Sequence, residues 1–391
     1  MIRYGKQHID HQDQKAVLET LKSELITQGP KIELFEKLLK SKFGSKYCSA
    51  VSSGTAALHL TGLALGWKKN DIILCSPISF LAASNAVIYS GAKPEFVDIN
   101  PKDYNIDISE LKKKIKFFKN KKKTIKAIIA TDFAGNPCDW KELKSLSIKY
   151  NIKLINDNCH AIGARYENNI KYAAKFADVV THSYHPVKNI TSGEGGAVLT
   201  NNKFIDNKIK LLRSHGTTKK TKNSAKPWYY EMIELGYNYR ISDLHCALGI
   251  SQLKKIEKFV NRRIQIAKIY KSLFSNYKNI IIPEEKKKNR HAYHLYPVLF
   301  NFDKIGISKS IFFKKLIKKN IFLQVHYIPI YSQPFYKKNF NFKSKNFPVA
   351  ERFYKQEVSL PMYYSLKNKQ IRYIFNTIVK TLKLKKNEIK K

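Results

Sequence analysis

Acidic residues are scarce in this sequence. Its 391 residues include 72 lysines and arginines against 30 aspartates and glutamates, a formal net charge of +42. That balance would ordinarily suggest nucleic acid or an anionic membrane surface. Lysine, however, travels with isoleucine, asparagine and tyrosine along the whole chain, and no single basic block dominates. Compositional background explains it better than a binding patch, and the local runs Lys112 to Lys123 and Lys286 to Lys288 read as solvated surface. One consequence remains: a basic surface attracts a doubly negative, nucleotide-linked substrate. Cysteine is also sparse. Cys48, Cys75, Cys138, Cys159 and Cys246 make an odd set without metal-ligand spacing, which argues against a disulfide framework and for a reducing, cytoplasmic compartment. The N-terminal MIRYGKQHID has no apolar signal region, and no run reaches transmembrane length. No internal repeat is present. His182 and His185 do not make a metal site, because on a strand they would face opposite ways.

What the chain does have is a run of chemistry in order. Lys188 follows a β-like run, Val179 to Ser183, and precedes a glycine pair. About thirty residues upstream, Lys153-Leu154-Ile155-Asn156-Asp157 reads as a short buried strand ending on one acid. Further upstream, Ser52-Ser53-Gly54-Thr55-Ala56-Ala57 opens a helix. A nucleophilic amine, a lone carboxylate and a helix N-terminus suited to phosphate are the equipment of a pyridoxal phosphate site. Each feature alone has a plainer explanation. One lysine among many is a solvated residue, Asp157 can cap a turn, and SGTAAL can be an ordinary helix start. Their order, each at the end of a strand, favours the site.

Around these residues strands and helices alternate. Strand-like runs are Ile72–Cys75, Glu95–Ile99, Ile125–Asp132, Lys153–Asp157, Val179–Ser183 and Ala197–Thr200. Helices are expected over 12–25, from Ile32 to Phe43 with Gly44 as the stop, from Ser53 to Leu65, and at 80–90, 108–118 and 139–150. This predicts an α/β fold with a mostly parallel sheet covered on both faces, and sites at the C-terminal strand ends. Phe80, Asp157, Ser183 and Lys188 all fall at or just past such ends. Residues 215 to 236 read as a loop. A helix from Ser242 to Phe259, kinked and continuing toward Leu273, would connect a large domain (1–250) to a small C-terminal α+β domain (251–391). In the latter, His291–Phe300 and Phe322–Ile330 are strand-like, 308–319 is helical, and Ile371, Ile374, Phe375, Ile378, Val379 and Leu382 make the buried stripe of a last helix. The tail after Lys383 is expected to fray.

With these residues placed, the chain resembles the DegT-type nucleotide-sugar aminotransferases over nearly its whole length. The carrying segments include SSGTAALHL (52–60), SPISFLAASNA (76–86), NDNCHAIGARY (156–166), SYHPVKNITSGEGGA (183–197), LGYNYRISDLHCALGISQLKK (235–255) and QVHYIPIY (324–331). Within the family the last of these, together with YYEMIELGYNYR and SYHPVKNIT, is most similar to the pseudaminic acid branch.

The resemblance implies the fold of type I pyridoxal 5′-phosphate transferases (aspartate-aminotransferase-like). It implies amino transfer from L-glutamate to the 4-keto carbon of a UDP-linked 6-deoxy sugar. It also implies roles, residue by residue. Lys188 is the lysine that bonds the cofactor and Asp157 the acid paired with its ring nitrogen. His160 touches the ring or its hydroxyl, and Phe80 stacks on the ring. Gly54, Thr55 and Ser183 hold the phosphate, joined by Asn238 from the other subunit of a homodimer. Tyr4, Thr27, Gln324, Val325, His326 and Tyr327 line the sugar-nucleotide side, and no metal is involved. Asn189 departs from the family, whose members often have proline there. Relatives that act as sugar dehydratases have histidine in place of the lysine, which Lys188 argues against. A related 4-aminotransferase for a different nucleotide sugar remains open, as does a nucleic-acid-binding protein on the same fold. The intact trio of Asp157, Lys188 and phosphate loop discriminates against the second. Specific nucleic acid and membrane partners are not expected.

Overall fold

The computed structural model describes residues 1–219, 226–284 and 288–385. Its centre is a seven-stranded sheet in the order Tyr47–Val51, Gly196–Thr200, Val179–Ser183, Lys153–Asp157, Ile125–Thr131, Ile72–Cys75, Lys93–Phe96. Gly196–Thr200 runs antiparallel to both neighbours, and the other strands are mutually parallel. Successive side chains on a strand face opposite sides, and the sheet buries both. Leu74, Ile128, Ala130 and Leu154 enter one apolar cluster, packed on the helices Pro30–Phe43 and Trp140–Tyr150. Ile73, Cys75, Ala127, Ile129 and Ile155 enter a second, packed on the helices Gly54–Ala64 and Ala82–Tyr89. Runs buried on both faces explain why these strands are nearly continuous in hydrophobicity.

The five predicted parallel strands and the antiparallel Gly196–Thr200 are present, with small boundary shifts. The predicted Glu95–Ile99 forms as Lys93–Phe96. The strand Tyr47–Val51 at the sheet edge, the helix Lys203–Leu212 and the strand Glu357–Leu360 were not foreseen. The first of these, YCSAV, shows no alternation that a sequence reading could use.

The connecting helix forms as two, Asp243–Lys254 and Ile256–Phe274, joined at Lys255. At the junction the Lys255 ammonium contacts Asp13 at 2.7 Å and Asp10 at 2.6 Å. Beyond it, Ile280–Ile281, Tyr296–Phe300 and Glu357–Leu360 make an antiparallel sheet. That sheet packs with the last helix, Asn368–Leu382, whose Ile371, Ile374, Ile378 and Leu382 are buried as expected. Ile2–Arg3 pairs in parallel with Ile321–Phe322, so Ile2 joins this apolar cluster.

Three expectations need correction. Of the strand-like stretch Phe322–Ile330, only Phe322 is in a strand, Ile321–Phe322; residues 324–328 line a cavity and Ile330 begins the 3-10 turn Ile330–Ser332. Of His291–Phe300, only Tyr296–Phe300 is strand; the residues before it run against another loop, with Ala292 N–H donating to Gly135 O and Leu295 N–H to Ala134 O. The loop expected over 215–236 contains a hairpin ladder, Thr217–Thr218 with Glu231–Met232. Residues 220–225 of that stretch, Lys286 and Lys287 of the basic run, and tail residues 386–391 lie outside the described residues.

Candidate active site

The C-terminal ends of the parallel strands open on one cavity of about 650 Å³. Gly54, Thr55, Phe80, Asp157, His160, Ser183, Lys188, Tyr4, Gln324, Val325, His326 and Tyr327 all line it. Thr27 and Asn238 do not. Thr27 pairs with Ser242 and Asn238 with Ser214, both beside a separate recess that Gln28, Arg213 and Arg240 line.

The helix Gly54–Ala64 starts at the cavity. Ser53 caps it, accepting from the Ala56 N–H at 3.0 Å. The Gly54 and Thr55 N–H groups precede the first helical acceptor, which leaves them directed outward with the positive end of the helix dipole. Close approach requires glycine here: a Cβ on Gly54 would stand 2.7 Å from the Ser183 Cβ, and one on Gly196 would stand 2.3 Å from the Ser53 carbonyl oxygen.

Asp157 is the last residue of its strand and is buried. Its Oδ2 accepts from the Thr131 hydroxyl at 3.2 Å and its Oδ1 from the Cys159 N–H at 3.3 Å. Lys188 lies in the turn after Val179–Ser183, its N–H bonded to the His185 carbonyl. Burial pushes its amine below the usual lysine range, against the pull of Cys159 and Asp157. Asn189 points away from the cavity; its Nδ2 donates to Ile162 O at 3.1 Å and Ala292 O at 3.0 Å, tying the lysine turn to two other loops.

Three histidines share the far wall. His160 Nε2 is 3.0 Å from the Tyr327 hydroxyl, and its ring centre is 4.6 Å from that of His294. His326 stacks obliquely on Tyr4 at 5.1 Å. Burial keeps all three neutral, with neighbouring Lys188 adding to the effect. His294 received no role from sequence reasoning. Only the contact of residues 292–295 with Ala134 and Gly135 brings its ring to the cavity. Cys159, His185, Glu194 and Gln333 are further lining residues that sequence reasoning missed.

A model of the DegT/DnrJ/EryC1/StrS aminotransferase family matches residues 7–379. The chain belongs to this family. It is 42% identical over 391 residues to the UDP-4-amino-4,6-dideoxy-N-acetyl-β-L-altrosamine transaminase of Campylobacter jejuni, covering 99% of both chains. Among solved structures, Helicobacter pylori PseC, an aminotransferase involved in the biosynthesis of pseudaminic acid, superposes with a TM-score of 0.89. It is 33% identical, and the match covers 98% of this chain and 99% of that one. The pyridoxal phosphate form of a Streptococcus pneumoniae sugar aminotransferase superposes with a TM-score of 0.87 at 26% identity, covering 98% of each. The fold is thus that of a DegT-type aminotransferase, of the type I class expected. No helix among the described residues is long and apolar enough to cross a membrane.

Proposed function

We propose that this DegT-type aminotransferase moves an amino group from L-glutamate to the 4-keto carbon of a UDP-linked 2-acetamido-2,6-dideoxy-hexos-4-ulose. The product is UDP-4-amino-4,6-dideoxy-N-acetyl-β-L-altrosamine. The carrying observation is a half-buried amine, Lys188, in one cavity with the Asp157 carboxylate and the open helix start at Gly54 and Thr55. Full-length similarity to the C. jejuni transaminase supports the choice of sugar.

The lining fits pyridoxal 5′-phosphate. The Gly54 and Thr55 N–H groups and the Ser183 hydroxyl would hold the phosphate. Asp157 would hold a proton on the ring nitrogen, Phe80 would cover a ring face, and His160, whose Nδ1 has no partner, would meet the ring or its hydroxyl. When bound, the cofactor supplies a carbonyl carbon to receive the amino group and a ring that accepts electrons. Lys188 would hold the cofactor's carbonyl carbon, and its free amine, which burial keeps below the usual lysine range, would serve as the base. Its Nζ then takes the proton from the glutamate α-carbon, and in the second half-reaction returns one to C4 of the sugar. Water supplies the keto oxygen of the 2-oxoglutarate that leaves after the first half, and the sugar's keto oxygen leaves as water in the second. Tyr4 and the wall Gln324–Tyr327 would face the nucleotide sugar.

We infer a homodimer in which Asn238, with Thr27 beside the same recess, serves the partner's cavity. Both are exposed and outside their own subunit's cavity. Five free cysteines support a reducing, cytoplasmic setting. The test is to supply glutamate with UDP-linked and GDP-linked 4-keto-6-deoxy sugars and identify the products by mass. Amination of the UDP 2-acetamido sugar is expected; preference for a GDP sugar would move the enzyme to another branch of the family.

A further inference from the structure

The strand Glu357–Leu360 runs behind the cavity wall and touches no part of the cavity itself. It grips that wall at two points. The Ser359 N–H donates to Gln324 O at 2.8 Å, and the Glu357 carboxylate, fully buried, accepts from the His326 N–H at 2.9 Å through Oε2. Its Oε1 accepts from the Ser359 hydroxyl at 2.6 Å. The residue after His326 is Tyr327, whose hydroxyl lies 3.0 Å from His160 Nε2. A chain of polar contacts therefore runs from the second sheet, through the wall, to an imidazole beside Lys188.

A carboxylate is a costly choice for a buried place: burial pushes Glu357 up to about 7, against the pull of the Ser359 hydroxyl, nearby Lys309 and the His326 N–H. An apolar residue of similar volume would pack there without that cost. What a carboxylate adds is two acceptor oxygens on a rigid fork, which can hold a backbone N–H and a hydroxyl at once and in fixed directions. The gripped backbone N–H belongs to one of the gripped wall's own lining residues, so a loosened grip moves His326 and Tyr327 together.

We infer that Glu357 is a positioning residue: it fixes the Gln324–Tyr327 wall and, through Tyr327, the orientation of the His160 imidazole. This rests on the aminotransferase reading only for what the wall recognises. Glu357→Met keeps roughly the volume and removes both acceptor oxygens, whereas Glu357→Gln can still accept from the His326 N–H while its N–H₂ donates to the Ser359 hydroxyl and should stay near wild type. Val358→Ala, in the next position of the same strand, removes apolar packing from the C-terminal cluster without touching the grip.

The test uses holoenzyme labelled with ¹⁵N-histidine, with the His160 resonances assigned from a His160→Asn variant, and the KM for the nucleotide sugar. Glu357→Met should move the His160 Nε2 resonance in the direction that Tyr327→Phe moves it, and add nothing further in the Tyr327→Phe background. KM should rise about tenfold or more, the scale of a small misplacement in a binding site, while Val358→Ala lowers thermal stability without either change. An unmoved His160 resonance in Glu357→Met, or equal shifts in Val358→Ala, overturns the inference. If wild-type enzyme aminates no UDP sugar, the functional reading fails and the resonance measurement still decides the role of Glu357.

Discussion

The Thr131 hydroxyl donates to the Asp157 carboxylate, Oγ1 to Oδ2 3.2 Å, and the two residues stand opposite each other at the ends of adjacent parallel strands. With the Cys159 N–H on the other oxygen, Asp157 is oriented by partners on both sides. These two bonds fix the direction of its carboxylate, which lines the cavity.

Asp157→Asn should keep the shape and lose the charge. Cofactor binding is expected to persist, and turnover to fall about 10²-fold or more, the scale of removing one preorganised electrostatic partner. Turnover near wild type would remove Asp157 from the mechanism.

The shared site can be read by subunit mixing. Lys188→Ala and Asn238→Ala should each be poorly active. Once subunits exchange, a mixed dimer contains one cavity with Lys188 from one subunit and Asn238 from the other, and activity should partly return. Demonstrated exchange without recovered activity would return Asn238 to a local turn role.

That Gly54, Thr55, Asp157 and Lys188 come together in one cavity was legible because each lies in a short local signal at a strand end, and the alternation of elements put those ends together. Long-range placement was not legible. His294 reaches the cavity only because residues 292–295 pair with Ala134 and Gly135, more than 150 positions upstream by sequence number. Thr27 resembles a lining position, yet it bridges to Ser242 beside another recess. Phe322–Ile330 reads as strand-like, but past Phe322 it leaves the strand and residues 324–328 line the cavity, held at Gln324 and His326 by Ser359 and Glu357 from a strand that the sequence did not reveal.

His182 gives a pH dependence of stability. Its ring is fully buried, with Nδ1 3.1 Å from the Tyr184 hydroxyl, and burial lowers it to about 3 from an ordinary 6.5. Between those values the unfolded chain binds a proton that the folded chain excludes, so stability is lost as pH falls through that window. By pH 5 this single group costs about 2 kcal/mol relative to neutral pH. His182→Gln should lose that part of the acid sensitivity, measured by denaturant unfolding at pH 7 and pH 5. A wild-type-to-variant stability difference that stays constant across the two pH values would contradict it.

The net charge of +42 should give DNA binding only at low salt. Binding that rests on counterion release falls steeply with salt, so gel-shift affinity is expected to fade by physiological ionic strength. Tight, sequence-selective binding under those conditions would restore a nucleic-acid function.

The central claim is that Lys188 carries an amino group from glutamate to a UDP-linked 4-keto sugar. The direct measurement follows ¹⁵N from labelled glutamate into the nucleotide sugar, beside borohydride reduction and peptide mapping. The account predicts ¹⁵N in the sugar product of the wild-type enzyme, reduced cofactor on the peptide containing Lys188, and a loss of at least about 10²-fold in Lys188→Ala, the low end for a proton-transferring group. Label that never enters the sugar, or a Lys188→Ala variant that transfers it as wild type does, would contradict it.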